Sequence, residues 1–269
     1  MTYNARELSV QDGEPIELYE FAFASKVLRF TSSDVDQIFA GQTYAQASLS
    51  HPQIEESSSL PRNAVTITSD LKFPMVTLYR AAVPSDEVEV TIYEMHAGDN
   101  EREVSWIGRL LDIEEEENSA KLNCESEMTS FRRPGLTRVY SKNCPHMLYG
   151  EGCNVVRTNF KLDTTVLSVD GLKITSFDFG TYSAGRFKGG YIEWEPEPGR
   201  IEARAIREHN GELITLSHAL PGLTAGAGIR AFPACKKTLE DCHDFFDNLA
   251  NNGSTPFIPK VNPVGNSAF

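Results

Sequence analysis

The residues of this chain most able to do chemistry are its five cysteines, four of which fall into pairs. Cys144 and Cys153 enclose eight residues in "SKNCPHMLYGEGC", Cys235 and Cys242 enclose six in "ACKKTLEDC", and 81 residues separate the two pairs. Thiols in such a set serve as disulfides, as metal ligands or as nucleophiles, and spacing weighs among these without settling the matter. Structural zinc takes its ligands from knuckles with about two to four residues between them, fewer than either pair encloses. Iron–sulfur clusters are larger than one ion and are commonly held by four thiolates, so on donor chemistry alone they rank modestly above zinc. Disulfides stay open if the mature protein ends up outside the cell. A nucleophilic thiol with an imidazole, such as Cys144 with His218, would suit a cysteine-dependent cell-wall hydrolase. That chemistry does not call for three further cysteines in matching pairs, and no catalytic residue is assigned.

Local elements must then deliver these thiols. Seven residues of continuous α-helix rise about 10 Å, too far for Cys235 and Cys242 to share a compact site. Thr238, with Asp241 three positions on, reads as an N-cap that starts the helix after Cys235, leaving Cys235 on the entering loop and Cys242 in the first turns. Phe246 and Leu249 follow Cys242 at +4 and +7 and are expected to cover the site on the same helix face. Pro145 suits the first position of a short helix beginning beside Cys144, with Gly150 and Gly152 turning the chain back toward Cys153. His146 and His243 lie beside the pairs and read as packing or surface histidines rather than ligands. Cys124 reads as a small hydrophobe in the strand "SAKLNCESEM", where Leu122, Cys124, Ser126 and Met128 share one face.

The 269 residues carry 38 acidic and 25 basic side chains, a formal charge of −13, which argues against nucleic acid as a partner. The N-terminal "MTYNARELSVQDGEPIELYEF" shows no leader pattern and no stretch approaches a membrane span, so assembly in a cytoplasm is expected. Period-2 strands are predicted at Ile16–Phe23, Lys26–Ser32, Val88–His96 and Val104–Ile113, with the acidic run Asp112–Glu117 as a solvated strand end and turn. Strand signals return after Asn159, with hairpins at Asp170-Gly171 and Asn210-Gly211. Between them "FGTYSAGRFKGGYIEW" reads as a glycine-rich loop in close contact with something. Neither it nor "TAGAGIRAF" completes a phosphate-binding pattern. The expected fold is mainly β. It comprises two β-barrel-like domains, 1–128 and 160–232, with a cysteine-containing connector at 129–159 and a cysteine-containing helix and tail at 233–269.

Several segments together resemble one family, specifically from about Thr137 onward: the Cys-x-x-x-Leu-Tyr-Gly-x-x-Cys run, "FGTYSAGRFKGGYIEW", "NGELITLSHAL" and "ACKKTLEDC…FFDNLANNGSTPFIP". They are similar to the tailed-phage tail tip protein L and the hub protein of gene transfer agents. The chain departs from the pattern at Ala234 and at Asn251-Asn252-Gly253-Ser254. The resemblance implies a structural, non-enzymatic virion protein, a homotrimeric baseplate hub at the tip of a long non-contractile tail. It implies a [4Fe–4S] cluster on Cys144, Cys153, Cys235 and Cys242. The implied partners are the distal tail protein, the central tail tip or receptor-binding hub protein and the tape measure protein. Zinc, as a stabilised binding module, remains the alternative cofactor reading.

Overall fold

The computed structural model describes residues 15–54, 63–96, 101–132, 135 and 138–259. The N-terminal stretch through 14, where no leader was expected, lies outside the described residues. The chain forms two compact units, residues 1–133 with 197–201, and residues 134–196 with 202–269. The connector from 134 onward and the C-terminal cysteine segment therefore share the second unit with its strands.

The first unit is one sheet in the order β3-β4-β2-β1-β6-β7-β8-β5. Its strands are β1 (Pro15–Phe23), β2 (Lys26–Thr31), β3 (Gln37–Phe39), β4 (Gln42–Gln46), β5 (Val65–Ser69), β6 (Val88–His96), β7 (Arg102–Glu115) and β8 (Ala120–Ser126). Alternation along β1 sends Tyr19, Phe21 and Phe23 to one core while Ile16 and Leu18 meet Tyr44 and Met95 on the other face. The sheet curls because the chain beyond β4 reaches β5: Ser50 N–H donates to Thr68 O at 3.0 Å and Thr68 N–H to Ser50 O at 2.7 Å. His51 follows at once, with Nε2 at 3.3 Å from Glu17 Oε1. A short helix, α1 (Pro74–Ala81), starts on Pro74 and sinks Met75 and Val76 into the same core.

All four predicted strands of this unit form, and the acidic run ends β7 before a turn in which Glu116 N–H donates to Ser119 O. One face assignment changes. Leu122, Cys124 and Ser126 are buried, but Met128 is 51% exposed because β8 gives way to a 3₁₀ turn at Glu127.

The second unit is a sheet in the order β10-β11-β14-β13-β12-β15-β9. Its strands are β9 (Leu162–Thr165), β10 (Ser168–Asp170), β11 (Lys173–Thr175), β12 (Tyr191–Glu197), β13 (Arg200–Asn210), β14 (Leu213–Leu216) and β15 (Gly228–Phe232). The first and last strands of that order are consecutive in sequence, separated only by Val166 and Leu167. Val166 N–H donates to Ala227 O and Leu167 N–H to Thr175 O, both at 2.9 Å, so one bent strand joins both edges and closes the barrel. Gly171 and Gly211 open their two-residue hairpin loops at φ +58° each, as the sequence predicts. The glycine-rich loop meets the barrel itself: at Gly190 a Cβ would collide with the Phe232 carbonyl on β15. "TAGAGIRAF" is β15 itself with the turn leading into it.

Candidate functional site

The Cys235–Cys242 segment folds largely as its caps dictate. Thr238 is extended, its Oγ1 accepts from Asp241 N–H at 3.2 Å, and α2 (Leu239–Asp244) starts there with Cys235 on the loop before it. The helix is shorter than the +4/+7 pattern requires. It ends at Asp244, and Asp247 then turns through φ +46°, so Phe246 is buried at 5% exposure whereas Leu249 is turned outward at 48%.

No helix forms after Pro145 either. The chain instead makes a turn in which Cys153 N–H and Asn154 N–H both donate to Gly150 O, at 3.0 and 2.9 Å. The left-handed positions of this turn are Tyr149 and Asn154, not the glycines. Gly152 is needed for a different reason: the His146 ring lies against it, and a Cβ would overlap that ring. The same ring covers Gly253. His146 is thus a packing residue, and His243 sits on the surface beside Asp244, whose carboxylate raises its pKa by a hydrogen bond. His218 is exposed, with Nδ1 at 3.2 Å from Ser217 Oγ.

Two residues that the sequence reading did not single out tie the pairs together. Lys237, at φ +63°, accepts from Cys144 N–H through its carbonyl at 2.9 Å and donates its own N–H to Cys235 Sγ at 3.3 Å, while its ammonium reaches His146 O. Asn248 does the corresponding work for the other two thiols. Its Nδ2 donates to Cys153 O at 2.6 Å and lies 3.6 Å from Cys153 Sγ, its N–H donates to Cys242 O at 2.9 Å, and Cys242 Sγ donates to Asn248 O at 3.2 Å. Cys153 and Cys242 are buried; Cys144 and Cys235 are half-buried. Burial pushes the Cys235 thiol pKa up, against the pull of the Lys237 N–H.

Around them lies a small apolar cluster in which Cys153, Val155 and Phe246 pack with Leu148, Tyr149, Phe160, Cys235 and Phe245. Beneath α2, Arg186 forms a buried pair with Asp241, Nη1 to Oδ1 at 2.6 Å, and also donates to Ala234 O. Its guanidinium sits 3.6 Å from the Phe245 ring centroid. Burial works to raise the Asp241 pKa, but hydrogen bonds from Arg186 and from Lys236 N–H hold the carboxyl below the usual range. A charge pair excluded from water in this way anchors the loop between Cys235 and Cys242. Nothing short of the fold would have shown Arg186 and Asp241 as partners, since 54 residues lie between them.

Among the described residues no three His, Cys, Asp or Glu side chains stand close enough to hold a single metal ion. No described helix is long and apolar enough to cross a membrane.

The family model for the baseplate hub protein, N-terminal attachment domain, matches residues 18–156, more than half of the chain. The chain belongs to this baseplate hub family. Its place is therefore the tail of a virion, where it is a structural component. A second family model, of the phage conserved hypothetical protein BR0599, matches residues 185–262. One cysteine pair falls in each matched region. Over 176 residues the chain is 26% identical to an uncharacterized protein of Xylella fastidiosa (strain 9a5c), a stretch that makes up 58% of this chain but 35% of that protein. The fold is also that of a solved chain from the virion of a native gene transfer agent particle, with a TM-score of 0.78 over 97% of this chain and 93% of that one at 19% identity.

Proposed function

We propose that this baseplate hub protein is a ring-forming subunit at the tip of a long non-contractile tail, homotrimeric, with an iron–sulfur cluster of the [4Fe–4S] type on Cys144, Cys153, Cys235 and Cys242. The observation that carries the cofactor reading is the convergence of two thiol pairs, 81 residues apart in sequence, on Lys237 and Asn248, each of which hydrogen-bonds to one member of both pairs. The donor set suits the group: four thiols, an apolar surround, and N–H groups aimed at two of the sulfurs. The spacing within the pairs, eight and six residues enclosed, is wider than that of structural zinc knuckles and favours a multi-iron core over zinc. When bound, the cluster would supply four metal–thiolate bonds, a cross-link between the turn at Cys153 and the C-terminal segment.

The role is structural: the cluster clamps two segments that a small apolar core holds only weakly, and the rigid second unit then presents a fixed surface to neighbouring subunits. Those neighbours are the distal tail protein, the central hub that binds the receptor, and the tape measure protein. Iron, zinc and acid-labile sulfide measured on anaerobically purified protein test the cofactor, and the mass of the native particle in solution tests the trimer. Protein without stoichiometric iron and sulfide would sink the cluster; stoichiometric zinc in their place would establish the binding-module reading. Turnover of cell-wall peptides that depends on Cys144 would overturn the structural role.

A further inference from the structure

Resting on the cluster reading, we infer that Asn248 is a positioning residue for that site: its side-chain amide holds the Cys153 sulfur through an N–H···S hydrogen bond and Asn251 sets the direction in which that amide points. The geometry is a chain of three groups. Asn251 Nδ2 donates to Asn248 Oδ1 at 2.7 Å, and Asn248 Nδ2 donates one hydrogen to Cys153 O at 2.6 Å and has the other for Cys153 Sγ at 3.6 Å. Sulfur is a large acceptor, and the longer distance suits it. Flipping the amide would set Asn248 Oδ1 against the Cys153 carbonyl oxygen and its NH₂ against the Asn251 NH₂, so both neighbours select the same orientation.

Backbone contacts also hold Asn248 in place, since its N–H donates to Cys242 O at 2.9 Å. A hydrogen bond donated to a ligand sulfur stabilises the more electron-rich, reduced form of an iron–sulfur centre and so raises its reduction potential. Lys237 N–H makes the same kind of contact to Cys235 Sγ at 3.3 Å, but as a backbone group it cannot be removed by a side-chain change. Asn248 is therefore the donor through which side-chain substitution can tune the centre.

The test is a redox titration of the full chain, purified without oxygen, followed by the optical spectrum. Asn248→Leu is expected to keep bound iron and to move the midpoint to more negative potential, by an amount equal to a roughly three- to tenfold change in the oxidation–reduction equilibrium, the reach of one hydrogen bond. Asn251→Ala is expected to shift it in the same direction by less, because Asn248 is still present but no longer held. This variant carries the measurement if Asn248→Leu loses its iron. A residue that merely packs would alter thermal stability and leave the midpoint alone. Iron-loaded variants with the wild-type midpoint overturn the role of Asn248 and leave the cluster standing. Wild-type protein free of iron and sulfide overturns both.

Discussion

Cys124 and Cys153 are both buried, at 3% and 9% exposure, but their sulfurs face different groups. Cys124 lies on β8 in the core of the first unit, among Val65, Ile67, Leu110 and Leu122, and its Sγ faces the Leu122 carbonyl at 3.7 Å, a partner that suits a protonated thiol. Burial, followed by the charge of Asp112, pushes its pKa up to about 12. Cys153 sits instead in a small cluster at the edge of irregular backbone, where the Asn248 amide points hydrogens at it. A strand interior excludes both water and polar hydrogen, which leaves a thiol inert. The turn around Cys153 instead places a side-chain amide donor beside the sulfur. The first region is held by apolar area, the second by a few directed bonds around a buried charge pair.

The largest expected contrast is in metal content. With the proposed cluster bound, Cys153→Ser should abolish stoichiometric iron in anaerobic protein, whereas Cys124→Ala should leave iron unchanged; loss of iron from Cys124→Ala would break the distinction. Next is Asp241→Ala, which strands Arg186 in a buried site and should cost about 3–5 kcal/mol in the second unit. Each unit carries one of the two tryptophans, Trp106 and Trp194, so urea denaturation followed by fluorescence in Trp106→Phe and Trp194→Phe backgrounds reports the units separately. Ile67→Ala, a truncation inside the core of the first unit, should cost about 2–4 kcal/mol and move the Trp106 transition alone.

The smallest effects are in pH dependence, and they have opposite signs. The Asp241 carboxyl is held below its unfolded value, so its contribution is present above about pH 4 and is lost as pH falls through the folded pKa. Asp241→Asn should flatten the acid limb of the second unit's stability curve. The His51 pKa is raised, first by its hydrogen bond to Glu17, so the protonated ring contributes below about pH 6.5 and that contribution is lost as pH rises through the folded pKa. His51→Gln should remove that alkaline loss, ~1 kcal/mol at most, from the first unit only.

Strands were legible where period-2 alternation reports one buried face, as in β1, β6 and β7, and where Gly171 or Gly211 marks a hairpin. α1 was not, because eight residues starting at Pro74 give too few turns to show a helical period against a strand background. The Thr238 cap could be read because capping is a local bond between residues three apart. The length of α2 could not, since it stops at Asp244 where Phe246 must turn into the cluster with Phe160, their ring centroids 4.9 Å apart.

The sequence by itself determined the β character, the four thiols and the cap that puts Cys235 on a loop. These follow from residue types and from spacings of a few positions. Only the tertiary structure decided that Gly152 serves the His146 ring rather than a left-handed turn, and that Arg186 meets Asp241. It alone placed Lys237 and Asn248 between the pairs. Apart from the Gly152–His146 contact, six residues apart, each of these spans tens of residues. Its partners are chosen by how the closed barrel brings distant backbone together, and no local period in the chain encodes that choice.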